Sequence, residues 1–246
     1  MSSSFENSID FAQKKDQQDS LSSFRNKFFI PQHEGHDCVY FCGNSLGLQP
    51  KNTTVYVNEE LQDWARLGVE GHFKPHTGWF KYHELVRDSI ANVVGALPLE
   101  VAVMNHLTVN LHLLLVSFYR PTKDRYKIIC EAGAFPSDRY ALQSQARFHG
   151  FDPDDAIIEL QPSKGSELIA HDDILKAIDD CGDELALVMF GGVHYFTGQV
   201  LDMKAITDAA HEVGAYAGFD LAHAAGNLKL ELHNWNVDFA AWCSYK

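Results

Sequence analysis

The sequence is short of positive charge, of paired cysteines and of long apolar runs, and each shortage removes a class of function. Twenty Lys and Arg stand against 33 Asp and Glu, leaving a net charge of -13 over 246 residues. Such a field repels phosphate backbones and anionic membrane surfaces, so neither nucleic acid nor membrane is an expected partner. An anionic ligand then has to be met by local donors, such as helix N-termini or a few placed cations. The five cysteines (Cys38, Cys42, Cys130, Cys181, Cys243) are odd in number and scattered, which excludes a disulfide framework and suits reduced thiols in a core. The run "LHLLLVSF" is too short to cross a bilayer, and the first twenty residues lack a basic stretch followed by an apolar one. A cytoplasmic, soluble protein is expected. Repeats and low-complexity linkers are absent. "HEGHDCVYFC" carries His33, His36, Cys38 and Cys42 but lacks the distant second pair of a structural zinc site, and no metal is expected. "CGNSLG" lacks the lysine of a phosphate-binding loop.

What is present is an apolar content of 46%, enough for a large core. Residues 1–30 read as a polar, partly helical arm, broken at Pro31 and "HEGHD". Residues 31–95 form a second segment, in which helical spacings flank a Gly, Pro and His rich loop, "EGHFKPHTGW". That loop is long enough to serve the site. From 96 to 246 the pattern alternates. The runs "VAVMN", "YKIICE", "AIIEL", "LALVMF", "AYAGFD" and "DFAAWC" read as buried strands, separated by helical stretches such as "DRYALQSQARFHG" and "MKAITDAAHEVG". The expected fold is α/β, with a mostly parallel sheet flanked by helices.

In such sheets ligands sit beyond the carboxyl ends of the strands. That rule selects residues 105–108, 131–138, 191–194, 220–223 and 244–246. Among them are Asp220, which taken alone is equally a cap for the next turn, and Lys246, an amine at the end of another strand. Pyridoxal phosphate is a cofactor that uses such a pair: a lysine to hold its aldehyde, and an acid to keep its pyridine nitrogen protonated. Phe135 offers a ring to stack on it, with Ser137 and Asp138 nearby, and Thr108 stands where a helix begins.

Six segments in this order, "FCGNSLGLQP", "LTVNLHLLL", "EAGAFPSDRYALQSQ", "GVHYFTGQ", "GFDLAHAAGN" and "VDFAAWCSYK", resemble the kynureninase family of the aspartate aminotransferase (fold type I) superfamily. The resemblance covers nearly all of the chain beyond the arm. It implies hydrolysis of L-kynurenine or 3-hydroxy-L-kynurenine to anthranilate or 3-hydroxyanthranilate and L-alanine, in tryptophan catabolism and the route toward NAD, by a homodimer. It implies that Lys246 carries the pyridoxal phosphate, with Tyr245 near its phosphate, and that Asp220 completes the catalytic set. Leu107, Thr108, Phe135, Pro136, Ser137, Asp138, Gly191 and His223 are implied cofactor contacts, His72 a substrate contact, and Trp79 its neighbour. Gly191 departs from the family's serine, which removes a side-chain contact to the phosphate. The family continues past its cofactor lysine into a further strand, a small C-terminal domain and an arginine for the substrate carboxylate. The chain is thus expected to be truncated at that lysine and to lack activity by itself. Two other readings stay open: a related pyridoxal-phosphate enzyme, such as a cysteine desulfurase or an aminotransferase, and an inactive fragment. Those enzymes usually place histidine before the lysine, where this chain has Tyr245.

Overall fold

The computed structural model describes residues 5–74 and 77–246. They fall into two units: one ends at Lys74 and includes Tyr245, and the other runs to Ser244 and includes Lys246.

In the first unit, helix α1 (Ile9–Gln18) starts at Ser8, whose hydroxyl accepts the Phe11 amide at 3.2 Å and so satisfies one of the orphan donors of the first turn. A two-residue hairpin follows, β1 (Gln32–His33) against β2 (His36–Asp37). Helix α2 (Thr53–Leu67) ends at Gly68, in the left-handed region at φ 56°. Lys74 pairs back to α2, with Glu60 at 3.2 Å and with Asp63.

The second unit holds α3 (Arg87–Val94), α4 (Leu107–Phe118), β3 (Lys127–Glu131), α5 (Pro136–Phe148), α6 (Pro153–Ala156), β4 (Ile157–Leu160), α7 (His171–Cys181), β5 (Leu185–Gly191), α8 (Met203–Glu212), β6 (Tyr216–Asp220) and β7 (Phe239–Ala241). Its five strands lie in the order β4-β3-β5-β6-β7, every neighbouring pair parallel. Strand alternation sorts the core into two layers. Ile129, Val188, Phe190, Ala217 and Phe219 pack on one face with Ile174 and Ile178 of α7 and Ile206 and Ala210 of α8. Ile128, Cys130, Leu187 and Met189 pack on the other with Leu111 and Leu115 of α4 and Ala141 and Leu142 of α5. Both faces of the sheet are covered, which is why the strands read as unbroken apolar runs.

One expected strand differs. Val101–Asn105 is not part of the sheet: Val101 is extended (φ -111°, ψ 125°), but the segment forms no ladder among the described residues, and Asn105 turns to φ 47° just before α4. Apolar, β-branched residues suit a pleated surface, but a strand exists only where a neighbour pairs with its backbone.

At Gly218, in the middle of β6, a Cβ atom would overlap the Phe239 ring that lies against it. Phe239 is itself stacked on Phe118, with centroids 4.9 Å apart. Gly218→Ala is therefore expected to destabilise the protein by about 1–3 kcal/mol through overpacking. Urea unfolding measures this, and an unchanged midpoint would show that the ring can move aside.

Candidate active site

The parallel register brings the carboxyl ends of the inner strands to one edge. Gly191 of β5 lies opposite Asp220 of β6, and Asp220 opposite Ala241 of β7. The chain leaves that edge under tight control: the Gly192 amide donates to the Asp220 carbonyl and the Leu221 amide to the Ala241 carbonyl, both at 2.8 Å. Beyond β3, Gly133 (φ 68°) swings the chain into α5, which opens with Pro136 in its first turn and places Asp138 there too.

Helix α4 also points at this edge. Phe118, at its C-terminal end, packs against Tyr216 and Phe239, the first residues of β6 and β7. The helix thus runs against the strands, and Leu107 and Thr108, at its start, come to their carboxyl side. Among the described residues no side chain caps that start at His106, which leaves first-turn amides for an anion.

Lys246 reaches the same edge. Its Nζ lies 3.2 Å from His223 Nε2 and 5.9 Å from the centre of the Phe135 ring. Burial, and then the Lys246 charge, push the His223 pKa down against the opposing pull of Asp220. The imidazole is therefore held neutral, and its Nε2 accepts from the lysine ammonium. The Phe135 ring is partly exposed, braced edge-on by Tyr195 at 5.2 Å. A 340 Å³ cavity lined by Ala132, Gly133, His194, Tyr195 and Gln199 opens beside it.

The acids lie deeper. Asp220 is 8% exposed, and its Oδ1 accepts the Ala222 amide at 2.7 Å. The Asp138 carboxyl lies within hydrogen-bonding reach of that of Asp220 and receives the Ser137 hydroxyl at 3.3 Å. Gly191, half-buried, donates its amide to Glu131 Oε1 at 2.9 Å. A Cβ at position 191 would approach that oxygen to 3.1 Å, so this acid crowds the space a serine would take.

The structure thus gathers Leu107, Thr108, Phe135, Pro136, Ser137, Asp138, Gly191, Asp220, His223 and Lys246 in the second unit. Tyr245 falls with the first unit, where its carbonyl accepts the Gly47 amide at 2.6 Å. His72 also belongs to the first unit, exposed on a 3-10 segment, Gly68–Phe73. Trp79 opens another such segment, and Pro75 and His76 of the same loop lie outside the described residues. Glu131, a strand-end position and the first residue of "EAGAFPSDRYALQSQ", is buried at the site, although the motif assigned it no role.

These groups fit pyridoxal phosphate. An uncapped helix start suits its phosphate, a half-exposed ring its face, a lysine amine its aldehyde, and a buried carboxylate its pyridine nitrogen. A parallel sheet with that lysine and that aspartate at its carboxyl edge defines the large domain of a fold type I pyridoxal-phosphate enzyme. The chain belongs to the aminotransferase class-V family, which matches residues 39–246. It is 62% identical to a kynureninase from Flavobacterium psychrophilum, over 98% of this chain and 57% of that protein. It is 57% identical, over the same shares, to a kynureninase from Christiangramia forsetii. The chain thus spans little more than half the length of these curated relatives. Among solved structures, the cysteine desulfurase CsdA from Escherichia coli superposes with a TM-score of 0.70 at 17% identity, covering 92% of this chain and 54% of that one, a likeness of fold. No helix among the described residues is long and apolar enough to cross a membrane.

Proposed function

We propose that the gene product carrying this chain is a kynureninase, cleaving L-kynurenine or 3-hydroxy-L-kynurenine to anthranilate or 3-hydroxyanthranilate and L-alanine. The observation that carries the reading is identity of 57–62% to kynureninases across 98% of the chain, whereas the desulfurase likeness is one of fold alone. Pyridoxal phosphate, when bound, supplies the electron sink for a carbanion at the substrate Cα. The chain supplies the rest. Lys246 Nζ anchors the cofactor and, once free, moves the Cα proton, with the neutral His223 ring beside it to hold the amine in place. Asp220 keeps positive charge on the pyridine nitrogen, Phe135 covers a ring face, and the start of α4 receives the phosphate. His72 contacts the substrate. The enzyme acts in the cytoplasm, in tryptophan catabolism and the route toward NAD, as a homodimer. A stripe of exposed apolar residues on α2, Val57, Leu61 and Trp64, supports a second copy as its cover.

Purified gene product incubated with either kynurenine is expected to release the fluorescent anthranilate and one equivalent of alanine. Release of sulfide or alanine from cysteine, with kynurenine untouched, would move the protein to the desulfurases. A single-copy mass in solution would remove the dimer.

A further inference from the structure

The carboxyl edge buries more acid than one pyridine nitrogen needs. Glu131, Asp138 and Asp220 are 6%, 6% and 8% exposed, and they act on one another electrostatically. Each has a different set of partners. Asp220 accepts a backbone amide at 2.7 Å and meets the Asp138 carboxyl. Glu131 gives Oε1 to the Gly191 amide at 2.9 Å, while its Oε2 is buried with no hydrogen-bond partner among the described residues. A buried, unpartnered carboxylate oxygen is costly when charged and far less so when it carries a proton.

Among the described residues, the surroundings do not supply enough positive charge for three anions. His223, after β6, is held neutral, and Lys246, after β7, is engaged with it. Cys130 of β3 has its thiol pushed up by burial and by the neighbouring acids, so it stays protonated. Arg139, next to Asp138 on α5, is turned to Glu159 of β4 at 2.6 Å. Two carboxyls within hydrogen-bonding reach of each other, with no cation between them among the described residues, share a proton.

We propose that Glu131 and Asp138 are positioning residues held as neutral carboxylic acids at neutral pH, with Asp138 donating its proton to Asp220, so that the site presents a single anion to the cofactor's ring nitrogen. The two protons are taken from solvent on folding, and no bond to carbon changes. Asp220, receiving the Ala222 amide and the Asp138 hydroxyl, is then the fixed acceptor, and Glu131 tethers the end of β5 without adding charge. Burial, and after it the Asp220 charge, push the Asp138 pKa up to about 9, and burial raises that of Glu131, in line with this assignment. The cofactor half of the inference rests on the function proposed above; the protonation half does not.

Infrared spectra of the gene product in heavy water, before cofactor is added, separate the two. Neutral-pH spectra are expected to show carboxylic-acid C=O bands from buried groups, one lost in Glu131→Gln, another in Asp138→Asn, and none in Asp220→Asn. Should a variant fail to fold, the wild-type titration still decides: the Asp138 band is expected to persist until the pH rises to about 9. Absence of such bands at neutral pH would overturn the proposal. Absorbance titration with pyridoxal phosphate is the second arm. Asp220→Asn is expected to weaken binding at least about tenfold more than Asp138→Asn, since the amide still donates where the acid did. Equal losses would overturn the donor role of Asp138. Bands present in a protein that binds no pyridoxal phosphate would instead sink the proposed function and leave the protonation pattern standing.

Discussion

Lys246→Ala is expected to abolish covalent attachment of pyridoxal phosphate: borohydride no longer fixes cofactor to the chain, and the visible band of the bound cofactor disappears. Five of the other lysines are paired with carboxylates elsewhere. Lys74 pairs with Glu60 and Asp63, Lys127 with Asp155, Lys176 with Asp180, Lys204 with Asp208 and Lys229 with Glu231. Lys246 alone among these six has its amine at the carboxyl edge, beside a neutral imidazole and over the Phe135 ring. Because the proposed reaction has the same amine move the substrate proton, kcat is expected to fall by about 10²–10⁴, the range of general acid–base catalysis, beyond whatever the lost attachment costs. Lys246→Arg separates charge from chemistry. A guanidinium keeps the positive charge but does not shed its proton at accessible pH, so it neither attacks an aldehyde nor accepts from carbon. It is expected to be as inactive as the alanine variant. Borohydride fixation that survives in Lys246→Ala would move the anchoring amine to another residue.

Much of this arrangement is legible in the sequence alone. β3, β5 and β6 read as strands because both their faces are buried, which turns each into a short apolar run, and the strand-end rule then singles out Asp220 and Lys246. The helices after β3 and β5 show in the spacing of Ala141, Leu142 and Ala146 and of Ile206 and Ala210, all buried on one side. What is not legible depends on pairing between distant segments. Val101–Asn105 has strand composition without a partner, and composition carries no information on partners. Glu131 reads as the polar end of "KIICE"; only the approach of Gly191 from β5, 60 positions away, buries it and engages one of its oxygens. The Phe239 ring against Gly218 is set by the β6 and β7 register. Nor does spacing alone disclose that Asp138 and Asp220 meet, since the α5 start and the β6 end come together only through sheet order.

Asp220→Ala is expected to lower kcat/KM on kynurenine by about 10²–10³, the usual cost of removing one preorganised electrostatic group, and His72→Ala by less than about tenfold. The difference follows from what each residue meets. On the proposed function Asp220 faces the ring nitrogen in every turnover, so its charge matters most as the carbanion forms, whereas a residue that orients the substrate acts on binding and shows mainly in KM. Removing Asp220 also strands its partners: the Ala222 amide loses its acceptor and the Asp138 proton its destination. Leaving buried groups unsatisfied costs about 1–3 kcal/mol each, so the alanine variant should also unfold at a lower temperature. Asp220→Asn is the control for that loss, because its amide oxygen still accepts from Ala222 while the charge is gone. If the kinetic loss comes from charge, the asparagine variant recovers thermal stability but not turnover. Steady-state rates and thermal melts on Asp220→Ala, Asp220→Asn and His72→Ala read this out together. Recovery of turnover in Asp220→Asn, or a loss in His72→Ala equal to that in Asp220→Ala, would take the ring nitrogen away from Asp220, and among the acids buried at this edge Asp138 would be the next residue to test.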